Sequence, residues 1–175
     1  MEFEKIYIFI ILILTLVLNI NNLNLPYYWD DFNYVITAVN YVYSNYPTIF
    51  LWEQGLGHPP FFYIFAGLIF KLFGDSKIIA HSIILMFSFL AVLFTYLIGK
   101  ELFSRKTGII ASLLLLFTPI FVSYSSLFYL EMPLTALIVM AVYFAIKNQK
   151  IPSVIFSSLA VLTKEIAIVA VIALF

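Results

Sequence analysis

The sequence predicts an all-α, polytopic membrane protein with about five transmembrane helices and with interfacial helices in a long first outer loop. Three observations carry this. Hydrophobic residues make up 64% of the 175 positions, far above the roughly 45–50% of a soluble domain. Apolar runs recur at lengths near the ~20 residues that cross a bilayer. Charges are scarce, nine Lys plus Arg against nine Asp plus Glu, and they gather between those runs.

The first run, 6–20, follows a single nearby cation, Lys5. The polar stretch after it lacks the small-residue cleavage pattern of a signal peptide, so an uncleaved anchor helix is expected. Next comes 59–73, short for a span, opening on Pro59-Pro60 and closing on a Lys- and Gly-containing stretch; an interfacial or re-entrant helix is expected there. The remaining runs are 78–98, 109–128, 133–146 and 151–175. The 133–146 run is expected to start near Leu130, and 151–175 is read as one segment. The whole chain, 1–175, reads as a single transmembrane domain whose residues 21–77 form the outer loop.

Sidedness follows from the cations, because cytoplasmic loops collect Lys and Arg. If 59–73 does not cross, Lys100, Arg105, Lys106, Lys147 and Lys150 share the cytoplasmic side with the N-terminus, and only Lys71 and Lys77 lie outside. If it does cross, the bias reverses. The first arrangement places Asp30, Asp31, Glu53, His58 and Glu131 together on the extracytoplasmic face. Zero net charge and the lack of a basic block give no reason to expect nucleic acid as a partner. With no cysteine, disulfides and thiolate chemistry are excluded.

Residues 29–43 have helical spacing, with Asp31, Tyr34, Val35, Ala38 and Val42 on one stripe and Asp30, Asn33, Thr37 and Tyr41 on a more polar neighbour. An amphipathic interfacial helix is expected. Asp30 stands where it can cap that helix, and Asp31 where it favours the helix dipole. Glu131, between Tyr129 and Pro133, either opens the next helix or acts with the first-loop carboxylates. Together they can supply a general base and an orienter of a nucleophile, or bind a divalent cation through oxygen ligands.

Lys164 and Glu165 interrupt the last apolar run, where charge is costly and usually faces a protein interior, a partner or an aqueous cavity. At ~1.5 Å rise per residue, Lys164 lies roughly 20 Å along from Ile151, on the side of Glu131. It either meets a lipid phosphate or forms an ion pair, with its neighbour Glu165 or with another helix. His58 precedes two prolines that fix an extended turn, and is a donor, base or ligand candidate or a plain surface residue. His81 is expected to be a satisfied polar residue near a helix start.

The ordered set Trp29-Asp30-Asp31-Phe32-Asn33-Tyr34, His58-Pro59-Pro60, Leu72-Phe73-Gly74, Tyr129-Leu130-Glu131-Met132-Pro133-Leu134 and Leu162-Thr163-Lys164-Glu165 resembles the N-terminal part of GT-C membrane glycosyltransferases. The closest patterns are the protein O-mannosyltransferases and the lipid A aminoarabinose transferases. The resemblance implies transfer of a sugar from a polyprenyl-phosphate donor to an acceptor on the outer face. It implies that Asp30, Asp31 and Glu131 are catalytic, and that His58, Lys164 and Tyr34 bind substrate. His81 stands where many members have Arg, so a phosphate contact is not carried over to it.

Members of that family are usually several times longer. The alternative to an active enzyme is therefore a catalytically inactive, truncated membrane subunit or lipid-binding module, or a chain completed by a partner that supplies further C-terminal helices. A small transporter using Lys164 and Glu165 as a relay ranks last, since no inverted repeat is evident.

Overall fold

The computed structural model describes residues 2–29, 35–45 and 58–174. Among them the regular structure is helical: α1 (Glu2–Asn19) with a short 3-10 turn (Ile20–Asn22), α2 (Ile36–Asn45), α3 (Phe61–Phe73), α4 (Lys77–Leu102), α5 (Arg105–Leu116), α6 (Pro119–Ser125), α7 (Glu131–Ile146), α8 (Lys150–Val161) and α9 (Ala167–Leu174). Phe3–Asn22 and Lys77–Leu102 are each long and apolar enough to cross a membrane, and α5 with α6 makes a third candidate bent by 65°. The helices α3, α7 and α8 are shorter but also apolar.

Local sequence sets most boundaries. Ser76 and Ser104 cap α4 and α5, their hydroxyls accepting the N–H of Ile79 at 3.3 Å and of Thr107 at 3.1 Å, the standard use of serine at a helix start. Gly74 ends α3 with φ of 96°, a backbone conformation that costs a side-chain-bearing residue but not glycine. Pro119 opens α6; lacking an N–H, it cannot continue the α5 ladder, so the run 109–128 bends there instead of forming one straight helix.

Interhelical contacts sort the helix ends into two groups. At one end, Glu4 pairs with Lys100, Arg105 lies 5.1 Å over the Phe3 ring, and Lys147 meets Glu101 at 3.0 Å. At the other, Asn19 and Asn22 bond Ser125 and Ser126 at 2.9 and 2.8 Å, and Leu25 meets His81 at 3.1 Å. The chain therefore passes from the basic end to the opposite end through α1, returns through α4, and repeats the pair of passes through α5–α6 and α7. It rises again through α8. Leu25 and His81 touch each other on either side of α3, so the chain stands at the same end of the bundle before and after that helix.

Because lipid tails are as apolar as leucine, helices in a bilayer associate through close packing and polar contacts rather than by escape from water. Both devices occur here. Gly99 and Gly108 let α4 and α5 approach so closely that a Cβ on Gly108 would stand 2.5 Å from the Tyr96 carbonyl oxygen. Tyr7 and Ser112 share a 2.5 Å hydrogen bond between α1 and α5, and Ser153 donates to the Ala141 carbonyl at 3.0 Å between α8 and α7. Under the site end, Phe128 gathers Phe62, Phe70 and Tyr27 at 5.4, 6.3 and 6.0 Å between ring centroids.

Two elements differ from the sequence reading. Trp29, expected at the start of an amphipathic helix, is a turn residue with φ of 50°, and the described helix begins at Ile36. Its Val35, Ala38 and Val42 stripe is buried as expected, against α3. The run 151–175 is not one helix but α8 and α9, separated at 162–166. The break falls where the sequence turns polar, at Thr163, Lys164 and Glu165, and the Thr163 hydroxyl donates back to the Leu159 carbonyl at 2.8 Å.

Candidate functional site

The break between α8 and α9 builds the site. Helix termini leave backbone groups without intrahelical partners, and two of them meet here: the Phe61 N–H at the start of α3 donates to the Leu162 carbonyl at the end of α8 at 2.9 Å. This bond fixes the His58-Pro59-Pro60 turn against the break. Lys164 then reaches α7, where its Nζ donates to Glu131 Oε1 at 2.6 Å; the two side chains are 24% and 33% exposed. On the outer side of the break, His58 Nδ1 lies 3.1 Å from Glu165 Oε2. A carboxylate can only accept, so Nδ1 carries the hydrogen.

Glu131 is the first residue of α7, where a carboxylate is favoured by the helix dipole. Its neighbourhood is joined to the first loop. Tyr129, two residues before Glu131, donates its hydroxyl to the Tyr28 carbonyl at 3.3 Å; Tyr28 stands two residues before Asp30 in sequence. His81 supplies a second tether, its Nε2 donating to the Leu25 carbonyl at 3.1 Å with the ring stacked at 6.0 Å from Tyr27. It is 2% exposed, a satisfied residue on that nitrogen, while Nδ1 has no partner among the described residues.

Of the residues singled out by sequence, Glu131, Lys164 and His58 thus converge on one turn of backbone. Asp30, Asp31, Tyr34 and Glu53 lie outside the described residues. Among the described residues no three His, Asp or Glu side chains group as a metal site would require, and Glu131 and Glu165 each already face a cationic or N–H-bearing partner.

Sequence reasoning did not single out Tyr63. It is fully buried in α3, and its hydroxyl has no hydrogen-bond partner among the described residues. Burial, reinforced by the Glu165 and Glu131 carboxylates, pushes the phenol up to about 12. The one local signal was its place four residues after Pro59, too weak to separate it from the other aromatic residues of the run. Beside the break, an open apolar groove of roughly 510 Å³ runs between α8 and α9, lined by Val154, Ser157, Ser158, Val161, Leu162 and Val171.

Chemically, the site offers an ammonium, an imidazole and two carboxylates at the end of an apolar bundle, next to a groove of hydrocarbon character. No curated protein and no solved structure matches the chain. The family model of dolichyl-phosphate-mannose-protein mannosyltransferases matches residues 57–175, a range that takes in His58, Glu131 and Lys164 and leaves out Asp30, Asp31 and Tyr34. By that match, the chain belongs to the dolichyl-phosphate-mannose-protein mannosyltransferase family.

Proposed function

We propose that this is a multi-pass cell-membrane glycosyltransferase of GT-C type, moving a sugar from a polyprenyl-phosphate donor to an acceptor on the extracytoplasmic face. The observation that carries the reading is the Lys164–Glu131 pair, 2.6 Å long, set beside His58 inside the matched range. The pair is the ion pair that the sequence offered as the alternative to a phosphate contact, and in this reading the partly exposed ammonium exchanges Glu131 for the phosphate of the donor. Five passes, through α1, α4, α5–α6, α7 and α8, put that end outside when the end rich in Lys and Arg is cytoplasmic.

In this reading Lys164 and His58 offset the charge that develops on the departing phosphate, an electrostatic role that is strongest away from bulk water. Asp30 takes the proton of the acceptor hydroxyl. Asp31 and Glu131 orient the acceptor and the cations, and Tyr34 contributes to substrate binding. The glycosidic carbon loses its bond to phosphate oxygen and gains one to the acceptor oxygen. The α8–α9 groove is of the right character for the first isoprene units of the donor.

The test is transfer of a radiolabelled sugar from polyprenyl phosphate in membranes containing the chain. Loss of a general base costs typically 10²- to 10⁴-fold, so Asp30→Asn should lower transfer by about 100-fold or more, and Glu131→Gln should lower it as well. Transfer unchanged in both variants overturns the assignment.

A further inference from the structure

The His58–Glu165 contact decides which hydrogen His58 can offer a ligand. Nδ1 lies 3.1 Å from Glu165 Oε2, and a carboxylate only accepts, so in the neutral ring the single hydrogen sits on Nδ1 and Nε2 carries a lone pair. The hydrogen bond made by one ring nitrogen thus sets the state of the other. The His58 side chain is 32% exposed, so a ligand can reach the ring. Glu165 remains an ionised acceptor at neutral pH: its own backbone N–H and then the His58 ring hold its carboxyl below the usual range.

Charge points the same way. The charged groups at this turn among the described residues are Lys164 and Glu165 on the break and Glu131 on α7. Tyr63 on α3, its phenol pushed up to about 12 by burial, is neutral at ordinary pH. With a neutral imidazole the set of Lys164, Glu131, Glu165 and His58 carries one net negative charge; with an imidazolium it carries none. A phosphodiester approaching the neutral ring would meet a lone pair on Nε2 and an excess of negative charge around it. One proton on Nε2 reverses both, and the N–H it creates donates to a charged acceptor, which makes a strong hydrogen bond.

We propose that Glu165 is a positioning residue: by holding the Nδ1 hydrogen it commits His58 to meet the donor phosphate through Nε2 as an imidazolium, so that binding of a lipid-borne phosphodiester takes up one proton. The proposal rests on the reading of His58 as a phosphate contact. The proton passes from water to Nε2 and returns to water when the phosphate leaves. Because the bound state holds more protons than the free one, affinity falls as pH rises.

The experiment uses the full chain in dodecyl maltoside, with farnesyl methyl phosphate as the probe, a phosphodiester whose single negative charge does not change between pH 6 and pH 8. Titration calorimetry in buffers of different ionisation heat counts the protons taken up. At pH 8, where an ordinary imidazole is neutral, the unsubstituted chain should take up close to one proton per probe bound and should bind about tenfold or more weakly than at pH 6. This readout needs no variant. Glu165→Gln keeps a hydrogen-bonding group beside Nδ1, but an amide donates as well as accepts, so a neutral His58 can move its hydrogen to Nε2. That variant should take up almost no proton at pH 8 and bind more tightly there than the unsubstituted chain, with the difference between pH 6 and pH 8 reduced to about threefold or less. Binding by the unsubstituted chain without proton uptake, while His58→Gln weakens it at pH 6, overturns the proposal and leaves the phosphate reading of His58 intact. Failure of the probe to bind, or His58→Gln binding as tightly as the unsubstituted chain at pH 6, overturns both. Proton uptake that persists in Glu165→Gln overturns the role given to Glu165.

Discussion

Lys164 and Glu131, 33 positions apart in sequence, meet at 2.6 Å between the α8–α9 break and the first turn of α7. The pair closes one side of the site end of the bundle and holds two charges in a chain that has few. Around it the Phe61–Leu162 backbone bond and the His58–Glu165 contact tie α3 to the same turn. The consequences of breaking these contacts differ with their burial.

Lys164→Met leaves the Glu131 carboxylate without its cation. The pair lies between the exposed and the buried extremes, so the loss should be about 1–2 kcal/mol, less than the 3–5 kcal/mol of a fully buried pair. Adding Glu131→Gln should recover much of it by removing the stranded charge. Thermal unfolding in detergent of the single and double variants checks both statements; a double variant no more stable than Lys164→Met contradicts them.

Glu165→Gln should behave otherwise. The Glu165 side chain is 61% exposed, and exposed ion pairs contribute about 0–1 kcal/mol. An amide at this position can still accept from His58 Nδ1. Stability should therefore change by less than about 0.5 kcal/mol, measured in the same unfolding series.

Gly67 and Gly108 predict two different kinds of failure. A Cβ on Gly67 would meet Val42 Cγ1 at 2.7 Å and Val42 Cβ at 2.8 Å, so Gly67→Ala should cost about 1–3 kcal/mol and be only partly relieved by Val42→Ala, which removes Cγ1 but keeps Cβ. On Gly108 the nearest atom is a backbone oxygen, that of Tyr96. Gly108→Ala should force α4 and α5 apart, with no rescue by shortening a side chain. Yield and unfolding temperature of the four variants separate the cases.

Topology can be read chemically because the chain lacks cysteine. Single cysteines at Ser104 and Gln149, both at the basic end, should stay unlabelled by an impermeant thiol reagent until vesicles are lysed. A cysteine at Ser44 in α2 should label from outside. Labelling of Ser44 and Ser104 from the same side would mean that 59–73 crosses.

The site was legible in part. Glu131 and Lys164 were placed on one side by counting cations and helix rise, quantities that depend on local sequence alone. Their pairing, and that of His58 with Glu165 across 107 positions, was not legible, because long-range contacts depend on where the helices dock. Tyr63 was hidden for the same reason. Tyr63 and Tyr96 both bury a hydroxyl without a partner among the described residues, and only the packing of α3 against the break sets Tyr63 apart from the other tyrosines.

What the sequence determined by itself is the class of the molecule and its punctuation: apolar runs that demand a membrane, serine caps, a glycine stop after α3 and a proline that bends α5 into α6. These are fixed by hydropathy and backbone chemistry within a few residues. Tertiary structure decided that Leu25 and His81 meet at one end of the bundle, that the last apolar run breaks at 162–166, and that the break becomes a docking point. The run 151–175 is apolar enough to continue as one helix. It stops because Lys164 finds Glu131 and the Leu162 carbonyl finds Phe61, and only the folded bundle brings those partners within reach.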